Sequence, residues 1–236
     1  SSALRIELGR DSLAGRITEL NLGPLLLREV AGIRNLGGVE AFLPPNGLNH
    51  LSEFEFWQKL KSFGEENIRV RDAAFAAFSE RGGYPMAQAR PDSPWEEISN
   101  QLNDTVIKRA IQHDLRFGAR GQRRDATLLE EVFRLACRYA GQSPGQAVFV
   151  NEVRSALAAN IGWQRILTYL KFLDGTLLLR LIPPLELRLK RRKGNHKICL
   201  CDHTLRASWL QENIPLTPAE LQKAPHLADL AGHLAE

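Results

Sequence analysis

Between Thr127 and Lys197 the chain reads as three consecutive amphipathic helices, an apolar run and a strongly cationic hairpin, and no other feature restricts the fold as much. Leu128, Val132, Leu135, Ala136 and Tyr139 recur on one face of a first helix, which Gly141 terminates. Val150 to Ala159 predicts a second. After the turn Asn160-Ile161-Gly162, Trp163 to Asp174 predicts a third, on which Ile166, Tyr169, Leu170 and Leu173 face one way. Gln164, Thr168 and Lys171 share the opposite side, with Arg165 beside them. Gly175 closes this helix, and Thr176 to Ile182 reads as a buried strand. Leu185 to Lys190 then alternates apolar and charged as a half-exposed strand does, Lys193-Gly194-Asn195 supplies a turn, and Lys197 to Cys201 returns as the partner strand. Three helices followed by two strands with a basic tip is the order of a winged helix, a common nucleic-acid-binding module.

Charge points the same way. From Arg180 to Lys197 there are seven cationic residues against the single acid Glu186, a net +6, while the whole chain is only +4, so everything else sums to −2. A basic patch on an otherwise balanced protein is an electrostatic footprint, and phosphate backbones are its usual partner. Arg188, Lys190, Arg191, Arg192 and Lys193 would contact duplex phosphates, while Gln164, Arg165, Thr168 and Lys171 would face the bases. The competing reading is a solvated edge strand, because lysine and arginine also protect sheet edges from unwanted pairing.

A chain of 236 residues, 44% hydrophobic and 25% charged, has the composition of a soluble globular protein with two or three packed units. Its apolar runs, such as Leu25 to Leu27 and the stretch Leu177 to Ile182 with Arg180 inside it, fall far short of the roughly 20 residues of a membrane span. Three cysteines do not make an even disulfide framework, so a reducing cytoplasm is the expected setting. The ends read as cut, with Ser1-Ser2 at one and a helical pattern, Leu227, Leu230, Ala231 and Leu234, running into Glu236 at the other.

The N-terminal text is mixed. Arg16 to Leu22 has strand-like residues stopped by Gly23-Pro24, and Leu25, Leu26, Glu29 and Val30 begin a helix just after Pro24. Ser52 is placed to cap a helix carrying Phe56, Leu60 and Phe63, with Glu55 three residues on. Arg71 to Glu80 predicts the next helix, ended by Gly82-Gly83-Tyr84-Pro85, and Pro91 to Pro94 leads into a third through Trp95, Ile98, Leu102, Val106 and Ile107. Met86, the four tryptophans and the pair Phe75 and Phe78 read as core filling. The Gly/Arg-rich run 116–126 is the linker candidate.

These segments, in this order, resemble the predicted AAA-type P-loop ATPases of bacteria and archaea that carry a conserved C-terminal domain of unknown function. The resemblance rests on Ser1-Ser2, Gly15-Arg16, the stretch Leu22 to Glu29, Gly82 to Pro85, Tyr169-Leu170 through Pro183-Pro184, Lys197 to Asp202, and Gly232 to Glu236. It implies a mainly α fold with a small β component (α+β). Residues 1–47 would be the end of an AAA-type core, 48–115 a helical lid, 127–203 the winged helix, and 204–236 a helical lead into a further domain. It also implies ATP and Mg as cofactors of a parent protein and the other domains of that ATPase as partners, with Arg16 close to the nucleotide as a finger or sensor. The alternative for Arg16 is an ordinary surface arginine beside a glycine turn. No Gly-x-x-x-x-Gly-Lys-Ser/Thr occurs in the chain, so these residues are not expected to hydrolyse ATP by themselves.

His196, Cys199, Cys201 and His203 invite a zinc reading, but Cys199 and Cys201 lack the spacing of a zinc knuckle, and buried thiols fit better. Asp202 reads as a helix N-cap and His113 with Asp114 as a helix-end pair. No arrangement of Ser, His, Asp or Cys has a catalytic signature.

Overall fold

The structure, a computed structural model, describes residues 23–40, 42, 51–113, 125–184 and 194–212. The chain divides into two compact units, one holding residues 24–93 and the other residues 94–214. The described residues are mainly helical with one small antiparallel sheet, as expected of an α+β chain.

In the first unit, α1 (Leu27–Ile33) begins two residues later than its apolar pattern predicts. The carboxylate of Glu29 accepts the backbone amide of Leu26 at 2.7 Å, which satisfies one of the amide donors left over at a helix start and fixes Leu26 outside the helix. α2 (Phe54–Glu66) is capped at Glu53 rather than Ser52, and no side chain accepts its first amides. α3 (Ile68–Arg81) runs longer at both ends than its predicted span and stops at Gly82, whose φ of 68° suits glycine. Gly83 has a different reason: a Cβ there would lie 2.8 Å from the Cβ of Pro24 and 3.0 Å from the carbonyl oxygen of Leu25. This close approach lets Leu25 N donate to Gly83 O at 2.7 Å. Pro85 then starts α4 (Pro85–Gln88), a single turn beyond the helices predicted from periodicity. The buried Arg81 holds the segment after α4, donating to Arg90 O at 2.9 Å and to Ser93 O at 2.8 Å.

In the second unit, the predicted helix from Trp95 forms as α5 (Trp95–Leu102), a π-helical turn over Asn103–Ile107 and α6 (Lys108–His113). The wider turn leaves Asn103 buried, with its amide donating to Ser208 O at 3.0 Å. Residues 94–113 therefore pack with the C-terminal half of the chain. The linker candidate 116–126 and Asp114 fall almost wholly outside the described residues.

At the centre lies α7 (Ala126–Arg138), which contacts four other helices and the sheet. Leu128, Leu129, Val132, Phe133, Leu135 and Ala136 are all fully buried, so this helix is apolar on far more than the stripe of a surface helix. α8 spans Gln146–Leu157, not Val150 to Ala159. Gly145 opens it, and Ala158 ends it by turning left-handed at φ 48°. α9 (Trp163–Gly175) lies where it was expected, N-capped by Gly162.

The strand after α9 is shorter than predicted. β1 is Leu179–Ile182, because Leu177 adopts φ 62° and breaks any extended path from Thr176. β2 (Lys197–Leu200) pairs antiparallel with β1 in the register Leu179 to Leu200 and Ile182 to Lys197. β2 thus pairs with the buried strand; the Leu185 to Lys190 run, expected as its partner, lies outside the described residues. Burial decides this: Leu179, Ile198 and Leu200 are each at most 6% exposed and supply the sheet's core face. The turn after α7 joins the other edge, with Gly141 N donating to Ile198 O at 2.7 Å and Ile198 N to Gln142 O at 2.9 Å. α10 (Thr204–Leu210) comes next; its N-cap is His203 rather than the expected Asp202, whose buried carboxylate accepts Thr204 N at 2.8 Å from one position earlier.

Trp57 departs from the core-filling expectation. It is 49% exposed and donates its indole N–H to Leu51 O at 2.9 Å.

Candidate nucleic-acid interface

α9 presents two faces. Ile166, Tyr169, Leu170 and Leu173 are buried, while Gln164, Arg165, Thr168 and Lys171 are all exposed, as the helical spacing predicts. The turn before α9 is fixed by Arg154, whose Nε donates to Ile161 O at 2.8 Å. Phe149 of α8 packs edge-on against Trp163 at 6.4 Å, so the N-terminus of α9 has a set place against α8.

α8 is in turn held to α7 by a small polar cluster. Glu152 accepts the hydroxyl of Tyr139 and, at 2.8 Å, Arg138 Nη1. The hydrogen bond to Glu152 raises the Tyr139 phenol above its ordinary value.

The four exposed residues of α9 are not equivalent. Arg165 Nη2 lies 3.5 Å from the Oδ2 of Asp125, the residue that N-caps α7 through a 3.1 Å bond from Leu128 N to Oδ1. The Thr168 hydroxyl donates to Gln164 O one turn back at 2.9 Å, which directs it along the helix and away from a partner. Gln164 and Lys171 extend from the same face with no ion pair among the described residues. Asp125 is the residue that reading for site residues missed: its place just before the apolar pattern marks a cap, but nothing local ties it to Arg165 forty positions on.

At the sheet, Arg180 lies 3.9 Å from Asp174, and Asp174 Oδ1 also accepts Leu181 N at 3.2 Å. Arg188, Lys190, Arg191, Arg192 and Lys193 belong to the connection between β1 and β2 and lie outside the described residues, as does Arg16. The sequence therefore places the cationic run between two paired strands, and the described structure defines those strands on either side of it.

Cys137 and Cys199 are buried and Cys201 is half-buried. Burial pushes the Cys201 thiol up to about 11, with the nearby Arg180 opposing. His196, Cys199, Cys201 and His203 are all described, and among the described residues no three such side chains gather closely enough to hold a metal ion. Nor, among those residues, is any helix long and apolar enough to cross a membrane.

Residues 72–214, from within α3 to just beyond α10, match the profile of a family described as a domain of unknown function, DUF8612. No curated protein and no solved structure matches the chain.

Proposed function

The chain belongs to the DUF8612 family, and on that premise we propose that residues 127–203 form a winged helix that binds duplex nucleic acid through α9 and the cationic connection between β1 and β2. The observation that carries this reading is the two-faced α9, with Gln164, Arg165, Thr168 and Lys171 exposed opposite a fully packed side. The backbone bridges from Gly141 and Gln142 to Ile198 support it too, because they place a third short strand-like segment between the first and second helices of the module. Phosphate contacts from Arg188, Lys190, Arg191, Arg192 and Lys193 supply most of the affinity in this proposal, and base contacts come from the few donors of α9. Binding is therefore weak and nearly indifferent to sequence, at about 10⁻⁴ to 10⁻⁶ M at physiological salt. The resemblance to AAA-type ATPases adds a finer proposal, that in a parent ATPase this module relays nucleotide-dependent motion to its partner, with Arg16 near ATP and Mg.

The second reading is an architectural or protein-contact module without nucleic-acid affinity. It is favoured by the pairing of Arg165 with Asp125 and of Arg180 with Asp174, which leaves less net charge for phosphates. A fluorescence-anisotropy titration of labelled duplex at two salt concentrations separates the two. Salt-sensitive binding supports the first, and no binding at low salt replaces it with the second.

A further inference from the structure

We propose that the groove on the unit holding residues 24–93 docks an amphipathic helical peptide with acidic residues beside its apolar stripe. The argument starts from α2. None of its thirteen residues is buried, although Phe56, Leu60 and Phe63 form a helical stripe. Phe54 is 76% exposed and Trp57 49%. A helix of this length is marginal in water without a covered face. Phe42 covers part of the stripe, its ring 5.0 Å from that of Phe63 and 5.9 Å from that of Phe56. The rest opens onto a cleft of about 200 Å³ between α1, α2 and α3, with Ala31, Leu60, Phe63 and Ala74 on its walls. Among the described residues, seven of the nine exposed large apolar side chains belong to this unit, so the apolar surface is local to it.

Size and charge choose the occupant. The cleft is smaller than the roughly 300 to 1,000 Å³ typical of small-molecule pockets, and it suits one or two anchoring side chains of a helix laid into a groove. The charged residues that line it are both cationic, Arg28 and Arg71. Arg71 is held by Asp72 at 2.9 Å, which does not line the cleft, and Arg28 is exposed at the rim. An apolar stripe flanked by carboxylates complements this arrangement, and one flanked by lysines does not. The site lies on a different unit from α9 and stands or falls independently of the nucleic-acid reading.

The test uses the full chain and a fluorescein-labelled synthetic helix of about 18 residues with Leu at helical spacing and Glu on both flanks, against the same peptide with Lys for Glu. The Glu peptide is expected to bind more tightly. Arg28→Glu, at an exposed position that leaves the fold intact, should weaken it roughly fivefold, the scale of one exposed ion pair turned repulsive, and strengthen the Lys peptide. Leu60→Glu should abolish binding of both, with helicity checked by circular dichroism. Absence of binding, equal affinity for the two peptides, or indifference to Arg28→Glu overturns the proposal. So does sedimentation of the chain as a dimer that Leu60→Glu dissociates, since a second copy would then be the occupant.

Discussion

The hydroxyl of Tyr169 accepts the backbone amide of Asp125 at 2.9 Å, joining α9 to the N-cap residue of α7 across 44 positions. Tyr169 is only 6% exposed and Asp125 is exposed, so this part-buried polar contact lies at the edge of an otherwise apolar face. With the 3.5 Å pair between Arg165 and Asp125, one turn of α9 grips the start of α7 twice.

Tyr169→Phe should therefore lower stability by about 0.5 to 1.5 kcal/mol while leaving the core volume unchanged. Asp125→Ala loses the cap as well and should cost about 1 kcal/mol, whereas Asp125→Asn keeps a capping oxygen and should cost less. Urea unfolding midpoints give the order directly. Equal midpoints for Asn and Ala at position 125 would remove the cap from the explanation.

Replacing Arg191, Arg192 and Lys193 with Ala should weaken duplex binding evenly across sequences and flatten its dependence on salt, since each phosphate contact removed lowers the log–log slope by about one. Gln164→Ala should change sequence preference more than affinity, because a glutamine amide reads base edges and carries no charge. Titrations on two unrelated duplexes at several salt concentrations distinguish these effects. A triple variant that binds as tightly as the parent would move the interface elsewhere.

Glycine substitutions separate close approach from simple flexibility. Gly83→Ala puts a methyl 2.8 Å from the Cβ of Pro24 and should destabilise the unit by about 1 to 3 kcal/mol. A Cβ at Gly175 meets nothing within 4 Å, and Gly175→Ala at the end of α9 should be neutral or gain up to about 1 kcal/mol. Conversely, Ala158 sits at φ 48°, so Ala158→Gly should stabilise by about 1 kcal/mol. Thermal melts of the three variants are sufficient to rank them.

Cys201 should be slow to alkylate at neutral pH, its rate rising toward pH 11 as the thiolate forms. The same shift has a stability consequence. The folded thiol holds its proton more strongly than the unfolded one, at about 11 against 9.0, so its contribution is complete below about pH 9 and is lost as pH rises through about 11. Cys201→Ser should reduce that alkaline loss. Alkylation rates across pH 7 to 11, followed by mass spectrometry, give the titration, and a midpoint near 9 would contradict the burial account.

What could be read from the residues was whatever one helical turn or one tight bend decides. The two faces of α9 follow from a 3.6-residue period that Ile166, Tyr169, Leu170 and Leu173 obey, and the buried α7 from Leu128, Val132, Leu135 and Ala136. Gly82 to Pro85 announced a helix stop and a bend, because positive φ, a missing Cβ and a fixed φ are properties of single residues. The bond from Thr204 N to Asp202 is likewise a contact across two positions.

Tertiary packing decided the rest. Strand pairing is one case: Leu179 meets Leu200 across 21 positions, and the burial of Leu179, Ile198 and Leu200 that accompanies this register is a property of the packed sheet, not of either segment alone. The π-helical turn over Asn103–Ile107 is another, since helical periodicity carries straight through it and the reason for it, Ser208, is 105 residues away. Trp57 looks like core to any hydrophobic scale and is half exposed, because α2 has too few neighbours to cover it. Arg165 carries the same charge in either reading of the interface. Whether that charge faces a phosphate or Asp125 depends on where the chain brings the two together, which spacing along the sequence does not encode.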